Sequence, residues 1–178
     1  MSGPIDVWRQ AADKWTEVYA CVGDADWALQ TPCKEWSVRG LVDHTLQWQA
    51  TGGALLGATT APGDDWETIR EAYAIYLSDP LNLAGTVEEF AGIPKQELTG
   101  FLIGDLLIHS WDLARSIGAS ETLPPDAVQA TMAGLQNVPP TLLRGHNPLG
   151  QAMMGPAVEI PDEASIQDRM LAFSGRRP

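Results

Sequence analysis

Positive charge is scarce in this chain of 178 residues: eleven lysines and arginines stand against twenty-three aspartates and glutamates, for a formal net charge of -12. A mean field of that sign repels polyanions, which argues against nucleic acid and anionic membranes as partners and leaves small neutral or cationic ligands open. Cysteine is nearly as rare. Cys21 and Cys33 are too few and too widely spaced for a disulfide framework or a zinc ribbon, so both are read as reduced thiols, with Cys33 a packing residue. No apolar run approaches the roughly 18 residues of a membrane span. The start Met-Ser-Gly-Pro-Ile-Asp lacks the basic and then apolar pattern of an export signal, so a cytoplasmic location is expected. Internal repeats and low-complexity linkers are missing too, and with 44% apolar residues a single domain over 1–178 can bury a core without staples.

What is present is helical periodicity. Apolar residues recur at three and four from Ile5 to about Val22, and Asp26 to Trp36, with Thr31-Pro32-Cys33 inside it, reads as an extended connection held by Trp27 and Trp36. Ser37 is a good N-cap for a second helix running to Leu55 or Leu56, and Asp64 or Asp65 caps a third that Pro80 stops. Leu81 to Lys95 looks irregular. A helix from about Leu98 ends at Gly118, and Pro124-Pro125-Asp126 opens another that Pro139-Pro140 terminates. Beyond Thr141 glycine and proline crowd out periodicity, although Ala157 to Ile160 reads as a short strand and Ser165 to Phe173 as a last turn or two of helix. The expectation is an all-α antiparallel bundle over about 4–138 with a wrapped tail over about 139–178.

The run Gly104-Asp105-Leu106-Leu107-Ile108-His109-Ser110-Trp111-Asp112-Leu113-Ala114-Arg115 puts ionisable groups inside an apolar helix. At about 100° per residue Asp105 and His109 nearly eclipse, and Asp112 lies close to the same line. A buried carboxylate without a partner costs several kcal/mol, so Asp105 needs a cation, a donor or a metal ion. His44, on the second helix, can converge on the same point. Two ligands at i and i+4 with a third from a facing helix make a half-closed metal site; the plainer alternative is a histidine hydrogen-bonded to a buried aspartate. Around them, Asp112 orients a ligand histidine, joins the metal or pairs with a nearby donor, the last being the simplest. His146 is a loop residue, solvated unless it overhangs the site as acid or base. Trp48 and Trp111 are core or pocket wall, and Arg39 and Arg115 form salt bridges or hold a carboxylate.

The motifs Thr31-Pro32-Cys33-Lys34-Glu35-Trp36-Ser37-Val38-Arg39, Leu41-Val42-Asp43-His44 and the Gly104 to Arg115 run resemble the metal-binding DinB-like family, which includes the N-terminal domain of mycothiol-dependent maleylpyruvate isomerase. The tail, through Leu143-Arg144-Gly145, Asn147-Pro148-Leu149-Gly150 and Asp168 to Phe173, resembles the shorter stand-alone members. The resemblance implies an up-down-down-up four-helix bundle with a divalent ion, zinc or nickel, held by His44, Asp105 and His109. It implies a metal-dependent enzyme in which a low-molecular-weight thiol such as mycothiol meets an electrophilic substrate, with no catalytic base assigned and a homodimer left open. The alternative is a non-catalytic protein with a structural or ligand-capturing metal. Two departures matter: the isomerase carries glutamate where this chain has Asp105, and its active site uses a C-terminal domain for which this chain is too short. Maleylpyruvate isomerisation itself is therefore not expected.

Overall fold

The computed structural model describes residues 3–138, 140–147, 149–150 and 153–178. They are mostly helical: α1 (Pro4–Tyr19), α2 (Val38–Leu56), α3 (Trp66–Tyr76), α4 (Lys95–Ile117), α5 (Pro125–Leu135), α6 (Pro140–Leu143) and α7 (Ile166–Phe173). Local chemistry sets most of the ends. Ser37 accepts from the Gly40 N–H to start α2, Asp65 from the Thr68 N–H to start α3, and Ser165 from the Asp168 N–H to start α7. Gly118 closes α4 in the left-handed region at φ 72°.

The longest helix, α4, is the axis of the packing: α1, α2 and α5 all lie against it, α3 packs on α2, and α7 packs on α5. It buries residues around most of its circumference, from Leu98 and Phe101 to Leu113 and Ala114, as its nearly continuous apolar run foretells. Its contact with α2 is close because Gly52 faces Leu102, where any β-carbon would collide with the leucine side chain. That approach brings His44 on α2 opposite Asp105 and His109 on α4.

Several sequence expectations need correction. The stretch from Leu81 to Lys95 is not wholly irregular: Thr86–Val87 (β1) pairs antiparallel with Ile93–Pro94 (β2), with Thr86 opposite Pro94 and Val87 opposite Ile93. Two-residue strands show no alternation to detect, which is why periodicity misses them. Consequently α4 starts at Lys95, about one turn before the expected Leu98. Residues Ala157 to Ile160 form no strand; the Val158 N–H donates to the Ala172 carbonyl at the end of α7, so an extended segment finds a helix terminus instead of a ladder. The tail also contains a one-turn helix, α6, and α5 ends at Leu135, before the Pro139-Pro140 stop. Pro139 and Pro148 of the tail motifs, like Met1 and Ser2 of the start, lie outside the described residues.

Candidate metal centre

His44, Asp105 and His109 converge. His109 Nε2 is 3.3 Å from Asp105 Oδ1, and His44 Nε2 is 3.6 Å from the same oxygen. Their ligating atoms all lie within 4.8 Å of one another. The two imidazoles meet edge to face with centroids 5.0 Å apart. His44 and His109 are buried, while the Asp105 side chain keeps 15% of its surface exposed and forms the mouth of the cluster.

These separations are instructive because both exceed the usual N–H···O range. Ligands set tetrahedrally at roughly 2.0–2.1 Å from one ion lie about 3.3–3.4 Å from each other. Both imidazole nitrogens thus stand from Asp105 Oδ1 about as far as two ligands of one ion do, and farther than in a direct hydrogen bond. Two imidazole nitrogens and one carboxylate oxygen also form a donor set suited to a divalent ion such as zinc or nickel.

Behind the triad stands a second layer. With the proton on Nδ1, His109 donates to Asp112 Oδ2 at 2.9 Å, which leaves the Nε2 lone pair pointing at the cluster. Asp112 is fully buried and also accepts from Arg176 through Nη2 at 2.8 Å and Nε at 3.3 Å. Arg176 Nη2 in turn reaches the Cys33 sulfur at 3.0 Å, and Cys33 Sγ lies 3.4 Å from Asp112 Oδ2. Of the open readings of Asp112, the structure displays pairing with donors, one of which is a triad histidine. Cys33, read as packing, does pack against the core and also borders the site, and Cys33, His109 and Asp112 make a second group close enough to share an ion.

Electrostatics follow the geometry. Burial raises the Asp105 pKa, but the adjacent imidazoles of His109 and then His44 outweigh it and hold the carboxyl below its usual range. Burial likewise disfavours the His109 imidazolium, yet Asp105 first and then Asp112 carry its pKa well above the usual value of 6.5. Asp112 is lowered: burial pushes it up, and the His109 hydrogen bond and the Arg176 charge pull it further down. Without a metal ion the cluster therefore holds a proton on His109 between two carboxylates.

Several contributors were invisible in sequence. Trp36 stacks on His44 with centroids 4.2 Å apart and tilts over His109 at 5.8 Å. This matters because His44 Nδ1 is buried with no hydrogen-bond partner, so stacking fixes the plane of the His44 ring, whereas His109 is also held by a hydrogen bond to Asp112. Gln49 on α2 donates to the Leu102 carbonyl at 2.9 Å and reaches Asp105 Oδ2 at 3.5 Å. Arg176 comes from beyond α7. Its sequence signal is slight: it stands beside Arg177 near the end of a chain with few basic residues. Other candidates settle as structural groups. Arg115 pairs with Glu121 and covers Trp111, Arg39 covers Trp27, Trp48 packs edge-on to Phe90, and His146 is exposed on its loop.

Residues 8–141 match the family described as the mycothiol maleylpyruvate isomerase N-terminal domain. The chain belongs to that family. The matched span contains the triad, Asp112, Cys33 and Trp36, and stops short of Arg176. Uncharacterized proteins from two strains of Mycobacterium tuberculosis, CDC 1551 / Oshkosh and ATCC 25618 / H37Rv, are each 26% identical over 187 aligned positions, covering 97% of this chain and 97% of their own. No solved structure gives a significant match. Membership links the chain to mycothiol-related proteins, and among the described residues no helix is long and apolar enough to cross a membrane.

Proposed function

We propose that this protein is a metal-dependent enzyme that binds one divalent ion, zinc or nickel, through His44, Asp105 and His109. It uses a low-molecular-weight thiol of the mycothiol type as cosubstrate in an S-transfer to a small electrophile. The observation that carries the reading is the placement of two imidazole nitrogens at 3.3 and 3.6 Å from one Asp105 oxygen, with His109 Nδ1 bonded to Asp112. The fold that fits this role is the up-down-down-up arrangement of a DinB-like bundle, with α5 and α7 packed beside it.

A bound divalent ion would supply positive charge that favours the thiolate over the thiol near neutral pH. The chain's own residues do the rest. Asp112 keeps the His109 proton on Nδ1, so Nε2 stays a ligand. Arg176 balances the Asp112 charge, and Trp36 fixes the ring of His44 while shielding it from water. Three protein ligands leave a coordination position for the thiol, as reactive sites do and closed structural sites do not. The second reading, a structural or ligand-capturing metal without turnover, draws on the burial of the two histidines.

The test begins with metal content. Protein from metal-supplemented medium should carry about one divalent ion per chain, and His44→Ala and His109→Ala should each lose it while remaining helical, because the apolar core supplies most of the stability. Cobalt-loaded protein should then develop a sulfur-to-metal charge-transfer band on adding the thiol. A metal-loaded protein whose spectrum ignores the thiol would leave the second reading standing, and one that takes up no metal would remove both.

A further inference from the structure

The two oxygens of Asp105 have different surroundings. Both imidazoles approach Oδ1, His109 Nε2 at 3.3 Å and His44 Nε2 at 3.6 Å, whereas Oδ2 is reached by the side-chain amide of Gln49 at 3.5 Å. The carboxylate is divided between the triad and a residue outside it.

Gln49 stands where α2 meets α4. Thr45, Gln49, Gly52 and Leu56 follow one stripe of α2, and all four are buried. On that stripe Thr45 satisfies its hydroxyl on its own helix, through the Leu41 carbonyl, and Gly52 and Leu56 have no polar side-chain atom. Gln49 alone among the four sends a polar group across to α4. Its Nε2 donates to the Leu102 carbonyl at 2.9 Å, three residues before Asp105, and its backbone carbonyl accepts from the Tyr73 hydroxyl at 2.9 Å. Anchored in this way, the amide has little freedom to leave the carboxylate.

Joining the two helices does not account for a glutamine here. The Leu102 carbonyl lies inside α4, where the helical ladder already gives it a donor, so the bond from Gln49 rescues no orphaned acceptor. Gln49 Oε1, moreover, is buried with no partner, a cost that an apolar side chain in the same contact avoids. Turning the amide over would be worse, since Oε1 would then face the Leu102 carbonyl and the Asp105 carboxylate, both acceptors. What glutamine supplies and an apolar residue does not is an N–H for Oδ2.

We propose that Gln49 is a positioning residue, which holds Asp105 Oδ2 back so that Oδ1 alone is presented to the ion and the fourth coordination position stays open. The inference rests on the metal reading of the triad. A carboxylate ligates through one oxygen or through both, and a free second oxygen beside an ion with three protein ligands would occupy the place an incoming thiol needs. A donor on Oδ2 fixes the rotation of the carboxylate and makes that oxygen the poorer ligand.

The test loads the full chain with cobalt, whose visible bands are intense in four-coordinate sites and weak at higher coordination number, and titrates it with β-mercaptoethanol. Wild-type protein should give the intense bands. Gln49→Met, close in size but without the donor, should keep its helicity and about one cobalt per chain, pass to the weak bands and bind the thiol about tenfold less tightly. Gln49→Asn, whose amide is too short to reach Oδ2, should do the same. Thr60→Val removes a different bond to α2, at the Ala50 carbonyl, and should lower stability with the spectrum unchanged.

Intense bands and wild-type thiol affinity in a folded Gln49 variant would overturn the proposal, and so would weak bands in wild-type protein or the same spectral change in Thr60→Val. If neither Gln49 variant folds, wild-type protein decides: the Gln49 side-chain amide protons should shift on zinc uptake and exchange slowly with solvent, and amide protons indifferent to zinc would overturn the role. Wild-type protein that takes up neither ion would instead overturn the metal reading itself, and this proposal with it.

Discussion

Asp105 and Asp112 stand seven residues apart on α4, and their surroundings are opposite in kind. Asp112 is sealed from solvent and bonded at 2.8 and 2.9 Å to Arg176 and His109. Asp105 is partly open, and its imidazole neighbours stand off at 3.3 and 3.6 Å. One carboxylate has its partners within the chain; the other has neighbours placed as if around a third body. A hydrogen-bonded histidine and aspartate, the plainer reading of the sequence, describes the Asp112 pair well and the Asp105 cluster poorly.

The sharpest way to break that contrast is to remove each acid in turn. Asp112→Ala leaves the largely covered Arg176 without its counter-charge and should cost about 3 kcal/mol of stability, seen as a lower denaturant midpoint. Asp105→Asn should cost less stability than that but weaken metal retention by about 100-fold, because it removes the anionic ligand at nearly constant size. If the two variants exchange these phenotypes, Asp112 and not Asp105 is the ligand.

A smaller effect should follow from the residue behind Asp112. Arg176→Gln loosens the hold on His109 without touching the triad and should weaken metal affinity by about tenfold in competition with a chromophoric chelator. Unchanged affinity would show that Asp112 orients His109 unaided.

Protonation offers a graded version of the same comparison. The His109 pKa is raised on folding, so the stabilisation by its proton is complete below the unfolded value near 6.5 and is lost as pH rises through the folded value. Metal-free protein should therefore lose stability between neutral and alkaline pH, and this slope should disappear in His109→Gln. Metal binding must displace that proton, so its affinity should climb over the same interval. A metal-free stability that is flat with pH there would mean that the two carboxylates do not hold the proton.

The smallest change lies outside the contrast and serves as its control. Ser37→Ala removes the cap of α2 and should cost about 1 kcal/mol in thermal or denaturant melts. It should leave metal affinity unaltered, because α2 is held against α4 by the Gly52 and Leu102 contact.

How much was legible follows from how far each interaction reaches along the chain. The Asp105 and His109 pair is a local fact, since the helical repeat alone stacks residues four apart. The caps at Ser37 and at Asp64 or Asp65 and the stop at Gly118 are local in the same sense, and the structure uses Ser37, Asp65 and Gly118. The hairpin of β1 and β2 was missed because two-residue strands have no period, and the expected strand at Ala157 to Ile160 failed because among the described residues no neighbouring strand pairs with it.

Sequence by itself therefore determined the helices, their caps and the polar stripe on α4, because each depends on residues within a turn or two of one another. Only the tertiary structure decided that His44 faces that stripe, that Trp36 and Cys33 border it, and that Arg176 reaches back 64 positions to Asp112. The physical reason is that chain separation carries no information about distance once helices pack. A buried charge dictates that it must have a partner, and packing alone selects which one.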